Sequence, residues 1–123
     1  MSKRILVVED KEDLRAILRD YLTASGYDVV EAVDGDEAVA RARSERPDLI
    51  LMDIQLPVLD GYEATRRIKA DPALAATQIV AVSSFAMRGD EEKARASGCD
   101  GYVTKPYSPV KLLVMIRNIL GED

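Results

Sequence analysis

Five short apolar runs recur along the chain, each rich in β-branched residues: "RILVV" (4–8), "DVVEA" (28–32), "DLILM" (48–52), "QIVAVS" (78–83) and "GYVT" (101–104). Runs of this length and composition predict strands, several of them buried on both faces. Between them the apolar period changes to that of a helix. Leu14, Ile17, Leu18, Tyr21 and Leu22 form one stripe at i, i+3, i+4, i+7 and i+8, and Gly26 ends it. Residues 35–45 carry Ala38, Val39 and Ala42 inside a charged frame, with Pro47 beyond the end. Residues 61–70 carry Ala64 and Ile68 and stop at Asp71-Pro72. Residues 88–97 are highly charged and end at Gly98. Ser108-Pro109 is an N-cap followed by proline at the first helical position. It opens a helix with Leu112, Leu113, Ile116, Ile119 and Leu120. Strand and helix thus alternate five times. That alternation predicts an α/β fold, a five-stranded parallel sheet with helices on both faces and right-handed crossovers.

Composition narrows the class. The 123 residues suit one domain, 1–123, and 47% apolar content suits an ordinary core. The net charge of −5 argues against direct binding of nucleic acid. Histidine is absent, which excludes any mechanism built on an imidazole of this chain. The single cysteine, Cys99, allows no internal disulfide and reads as a packed thiol. No apolar run is long enough to span a membrane, and "MSKRILVVED" is not a signal peptide, so a cytoplasmic location is expected.

In a parallel sheet, functional groups collect beyond the carboxyl ends of the strands. Here the first strand ends in Glu9-Asp10, the third in Asp53, the fourth in Ser83-Ser84 and the fifth in Thr104-Lys105-Pro106. Taken singly, each has a plain reading: Asp53 as a turn cap, Glu9-Asp10 as a helix cap, Ser83 as a backbone ligand, Lys105 as a solvated charge. Taken together, three carboxylates on one rim repel one another unless cations sit among them. Lys105 supplies one charge, and the rest suits Mg²⁺, a hard cation with oxygen ligands. A carboxylate beside a metal, a lysine and a hydroxyl is a place to receive a phosphoryl group.

At this point the chain resembles the receiver domains of two-component response regulators, over essentially its whole length. The resemblance rests on "VVED", "LILMDIQLPVLDGYEATRRI", the hydroxyl residue in "VAVSSFAM", and "GYVTKP", in that order and spacing. "SSFAMRGDEEKARASGCDGYVTKP" is most similar to small stand-alone receivers, including a cell-division regulator. The resemblance implies a flavodoxin-like fold with strand order 2-1-3-4-5 and a cis Lys105-Pro106 bond. It implies Asp53 as phosphoacceptor, with Asp10 a direct Mg²⁺ ligand, Glu9 a ligand through water and the Gln55 carbonyl a third protein ligand. Ser83 and Lys105 would hold the phosphoryl group, Ser83 and Tyr102 would switch, and Gln55 and Phe85 would tune dephosphorylation. A sensor histidine kinase or histidine phosphotransfer protein would be the donor.

Movement of the loop after the fourth strand would reposition Phe85, Ala86 and Met87. With Tyr102 and Tyr107 these form the expected surface for a downstream protein target. The chain is expected to be no enzyme beyond its own phosphorylation and dephosphorylation. The alternatives are a phosphate shuttle or sink, and the receiver part of a longer regulator. A dehalogenase-like phosphatase is set aside because it needs an acid where Gln55 stands. A dinucleotide-binding domain is set aside because no Gly-x-Gly-x-x-Gly follows the first strand.

Overall fold

A computed structural model of the chain describes residues 2–84 and 89–122. Five strands, β1 (Arg4–Val8), β2 (Asp28–Ala32), β3 (Leu49–Asp53), β4 (Gln78–Ser83) and β5 (Gly101–Thr104), pair in parallel in the order β2-β1-β3-β4-β5. Helices α1 (Glu12–Ala24), α2 (Gly35–Glu45), α3 (Gly61–Ala70), α4 (Asp90–Ser97) and α5 (Pro109–Ile119) alternate with them. This is the flavodoxin-like (βα)5 arrangement expected above.

Alternation along the strands sorts the core into two layers, because neighbouring side chains of a strand point to opposite faces. Ile5, Val7, Leu49, Leu51 and Val80 face Leu18 and Leu22 of α1 and Leu112 and Ile116 of α5. Leu6, Val8, Ile50, Met52, Ile79 and Ala81 face α2, α3 and α4 through Ala38, Val39, Ala42, Ala64, Ile68 and Ala94. β1, β3 and β4 are buried on both faces, whereas β2 and β5 at the edges are partly exposed. Cys99 is packed in the α3–α4 side of the core, as its sequence context implied.

Three details depart from the sequence reading. β3 spans Leu49–Asp53 rather than 48–52, so Asp53 is itself a strand residue, in register with Val82 of β4. Asp48 lies outside, where its carboxylate accepts the Arg4 amide. α4 begins at Asp90, two residues later than expected, because Gly89 caps it with a positive φ. Ile17 belongs to the α1 stripe by spacing but is 60% exposed. Leu18 and Leu22 occupy the buried centre of that stripe, and Ile17 lies at its margin, lining a groove toward α5.

Candidate functional site

The carboxyl edge of the sheet brings the first and third strand ends side by side, since β1 pairs directly with β3. Glu9 and Asp53 are both buried there, and Asp10 is exposed beside them. One carboxylate oxygen from each of Glu9, Asp10 and Asp53 lies within 4.8 Å of the others. Lys105 reaches in from the end of β5 and joins the two buried acids. Its Nζ donates to Glu9 Oε1 at 2.8 Å and to Asp53 Oδ2 at 3.3 Å. Burial alone would lower the Lys105 pKa, but the hydrogen bond to Glu9 and the charges of Asp53 and Glu9 together raise it above its ordinary value. The ammonium is therefore the stable form, and three carboxylates face one cation.

The backbone holds these groups in place. Asp53 Oδ1 accepts the Gln55 amide at 3.1 Å, and Glu9 Oε2 accepts the Lys11 amide at 3.3 Å. The Lys105 amide donates to the Ser83 carbonyl at 2.7 Å, tying β5 to β4 where the lysine departs. The Lys105-Pro106 bond is cis, as the resemblance implied. α3 starts directly against Asp53. A Cβ at Gly61 would land on the Asp53 carbonyl oxygen, so only glycine permits this approach. The Gly61 amide donates to the Ile54 carbonyl, closing the loop that follows the strand.

The plain reading of Glu9-Asp10 as a helix cap does not hold. The N-cap of α1 is Lys11, with no side-chain cap bond. The Asp10 carboxylate makes no hydrogen bond or ion pair among the described residues, and one of its oxygens lies beside those of Glu9 and Asp53. Ser83 is buried at the end of β4, one strand from Asp53 and in register with Thr104. Tyr102 is half-buried against the α3–α4 side of the core. Tyr107 is half-buried on the opposite side, where burial raises its pKa. Phe85 and Met87 lie outside the described residues. The side-chain Nε2 of Gln55 is buried without a hydrogen-bond partner among the described residues, a donor in the loop next to Asp53.

Sequence pattern missed two contributors. Arg15 and Glu31 stand on the polar faces of α1 and β2, and such charges read as solvated. Instead, Arg15 Nη1 donates to the Glu9 carbonyl at 2.9 Å, and its Nε pairs with Glu31 Oε1 at 3.0 Å. Beyond the site, Leu14, Ile17, Pro106, Tyr107 and Pro109 line a groove of about 390 Å³ that Lys105 also borders. No helix among the described residues is long and apolar enough to cross a membrane.

An acidic pocket with a resident lysine, set at the carboxyl edge of a 2-1-3-4-5 sheet, defines a phosphoryl-receiving signalling module. Residues 5–117 match the family described as the response regulator receiver domain, and the chain belongs to that family. It is 44% identical over 122 residues to the polar-differentiation response regulator DivK of Brucella anthropi, covering 99% of each chain. The DivK of Brucella ovis is 43% identical over the same length. Among solved structures it is similar to the receiver domain of the sensor histidine kinase PA1611 from Pseudomonas aeruginosa, which holds a magnesium ion in its active site cleft. The TM-score is 0.91 at 36% identity, over 99% of this chain and 100% of that one. The chemotaxis protein CheY4 of Vibrio cholerae also gives a TM-score of 0.91, at 28% identity, over 97% of this chain and 99% of that one.

Proposed function

We propose that this chain accepts a phosphoryl group on Asp53 from a phosphohistidine of a sensor kinase or phosphotransfer protein, and signals by contact with a downstream protein. The carrying observation is the Lys105 ammonium bonded to both Glu9 and Asp53 at the rim of a three-carboxylate pocket. In the reaction an Asp53 carboxylate oxygen attacks phosphorus, the phosphorus–nitrogen bond breaks, and the donor imidazole takes up a proton as it leaves. Lys105 exchanges its bond to Asp53 for one to a phosphoryl oxygen, and the Ser83 hydroxyl bonds another. The chain turns over no separate substrate and acts only on its own phosphorylation and hydrolysis.

The donor set fits Mg²⁺: all oxygen, anionic, and in excess of the one lysine. Asp10, whose carboxylate makes no bond among the described residues, and Asp53 would be direct ligands, with the Gln55 carbonyl, as the resemblance implies. Glu9, already engaged by Lys105 and the Lys11 amide, is assigned as a ligand through water. The metal would neutralise charge on the transferring phosphoryl group. The apolar groove bordered by Lys105 gives the donor protein a docking surface next to the acceptor. By their places in the sequence, two residues after Asp53 and two after Ser83, Gln55 and Phe85 set the phosphoryl lifetime; Tyr102 and Ser83 couple the site to the α4–β5–α5 face.

The test is intact mass after incubation with acetyl phosphate and MgCl₂. The parent chain is expected to gain one phosphoryl group, and Asp53→Asn none, because an amide is not a comparable nucleophile. Phosphorylation of Asp53→Asn, or none of the parent with any competent donor, overturns the assignment.

A further inference from the structure

The acid turn after β1 is held on four sides. The Glu9 amide donates to the Ala32 carbonyl at 3.1 Å. Its carboxylate is taken by Lys105 and the Lys11 amide, and its carbonyl by Arg15. Asp10 has no such support: its carboxylate is exposed and makes no bond among the described residues. What aims it is the peptide plane between Glu9 and Asp10. The carbonyl of that plane is the atom Arg15 holds.

Arg15 is itself fixed. Its side chain is only 15% exposed, and Glu31 on β2 anchors its Nε. Glu31 also pairs with Arg19 at 3.6 Å. A planar guanidinium donating in two directions at once is a rigid spacer, which a flexible ammonium is not. We infer that Arg15, braced by Glu31, is a positioning residue for the metal site: it fixes the Glu9–Asp10 peptide so that Asp10 presents its carboxylate to Mg²⁺. This deepens the functional reading above and rests on it.

Two effects of Arg15 oppose each other, which makes the inference decidable. As a positive charge near three acids it disfavours a second cation. As a brace it favours one, since partners that orient metal ligands typically control affinity by 10–100-fold. Glu31 neutralises much of the charge, so the brace dominates.

The experiment is a titration of the metal-free chain with MgCl₂, followed by the backbone amide shifts of residues 9–11. Arg15→Met is expected to weaken Mg²⁺ about 10-fold, and Glu31→Gln to weaken it less, in the same direction. Arg4→Gln is the control for general loss of stability. It removes the Asp28 ion pair at the opposite end of β1 and is expected to leave Mg²⁺ affinity unchanged. Unchanged or tighter binding by Arg15→Met overturns the inference while leaving the parent's metal site intact. If Arg15→Met does not fold, unchanged binding by Glu31→Gln overturns it. Weaker binding by Arg4→Gln equal to that of the Arg15 variant shows a merely structural role and also overturns it. A parent chain that does not bind Mg²⁺ overturns both this inference and the reading on which it stands.

Discussion

Val58 carries a φ of +68°, in a region that β-branched residues avoid. It sits in the loop between Asp53 and α3 and is 77% exposed, so no packing compensates the strain. The Leu59 amide reaches back to the Pro57 carbonyl at 2.7 Å, a tight reversal with Val58 at its centre. Such a residue stores on the order of 1–3 kcal/mol. Val58→Asn, which tolerates positive φ, is expected to raise unfolding stability by about 1 kcal/mol, read from urea denaturation. A loss of stability would mean that the exposed isopropyl group makes a contact worth more than the strain. Neither the strain nor the Arg15 brace was legible in the sequence. "LPVLDG" announces a turn without saying which residue adopts its left-handed position. "DKEDLRAILRD" shows an arginine on a helix without saying that it folds back onto a carbonyl. By contrast, Asp53, Glu9, Asp10 and Lys105 were legible, because a charge at the end of an apolar strand conflicts with local pattern and so stands out.

At the level of elements, α4 differs from its neighbours. It has eight residues, its N-cap Gly89 offers no side-chain bond, and only Ala94 and Ser97 are buried. On its exposed side Glu91 and Arg95 pair within the helix. Lys93 lies 4.7 Å from the centre of the Tyr62 ring, a contact with α3 that is worth about 0.5–1 kcal/mol at an exposed site. Little apolar burial means low local stability. Amide hydrogen exchange is therefore expected to be faster in α4 than in α1, α2 or α3. Lys93→Ala should speed it further. Protection in α4 equal to that of α3 would contradict the low local stability inferred from its burial. The strands and helices themselves were legible wherever apolar period was strong. Boundaries were less legible: α4, whose eight residues include five charges, starts later than expected, β3 runs one residue further to take in Asp53, and Ile17 of α1 lies at the margin of the stripe on which spacing placed it.

For the whole molecule, several groups lean the same way on the pH scale. Burial pushes the Cys99 thiol above its ordinary 9.0. Burial also raises Tyr27, with help from Glu122, Tyr62, with help from Asp90, and Tyr107, all above the ordinary 10.0. For Lys105, desolvation acts downward but Glu9 and Asp53 outweigh it, raising it above 10.5. Each of these groups holds its proton more tightly folded than unfolded. Their contribution to stability is thus complete below the ordinary values and is lost as pH climbs through the folded ones. The urea midpoint should be level, as far as these groups determine it, from pH 7 to about 9, and fall above that. A midpoint at pH 10.5 equal to or above that at pH 8 would contradict these environments.

The sheet order carries one more implication, which concerns the making of the chain rather than its finished state. Glu9 and Asp53 are delivered to adjoining strand ends by β1 and β3, whereas the lysine that joins them comes from β5, the last strand in the order of synthesis. A nascent polypeptide leaving the ribosome thus presents two apposed acids well before residue 105 has been made. Pairing of β1 with β3 in that interval sets like charges together in a forming interior before Lys105 can join them. A dissolved divalent ion relieves their repulsion in that interval, so the cation proposed for the mature domain also suits its birth.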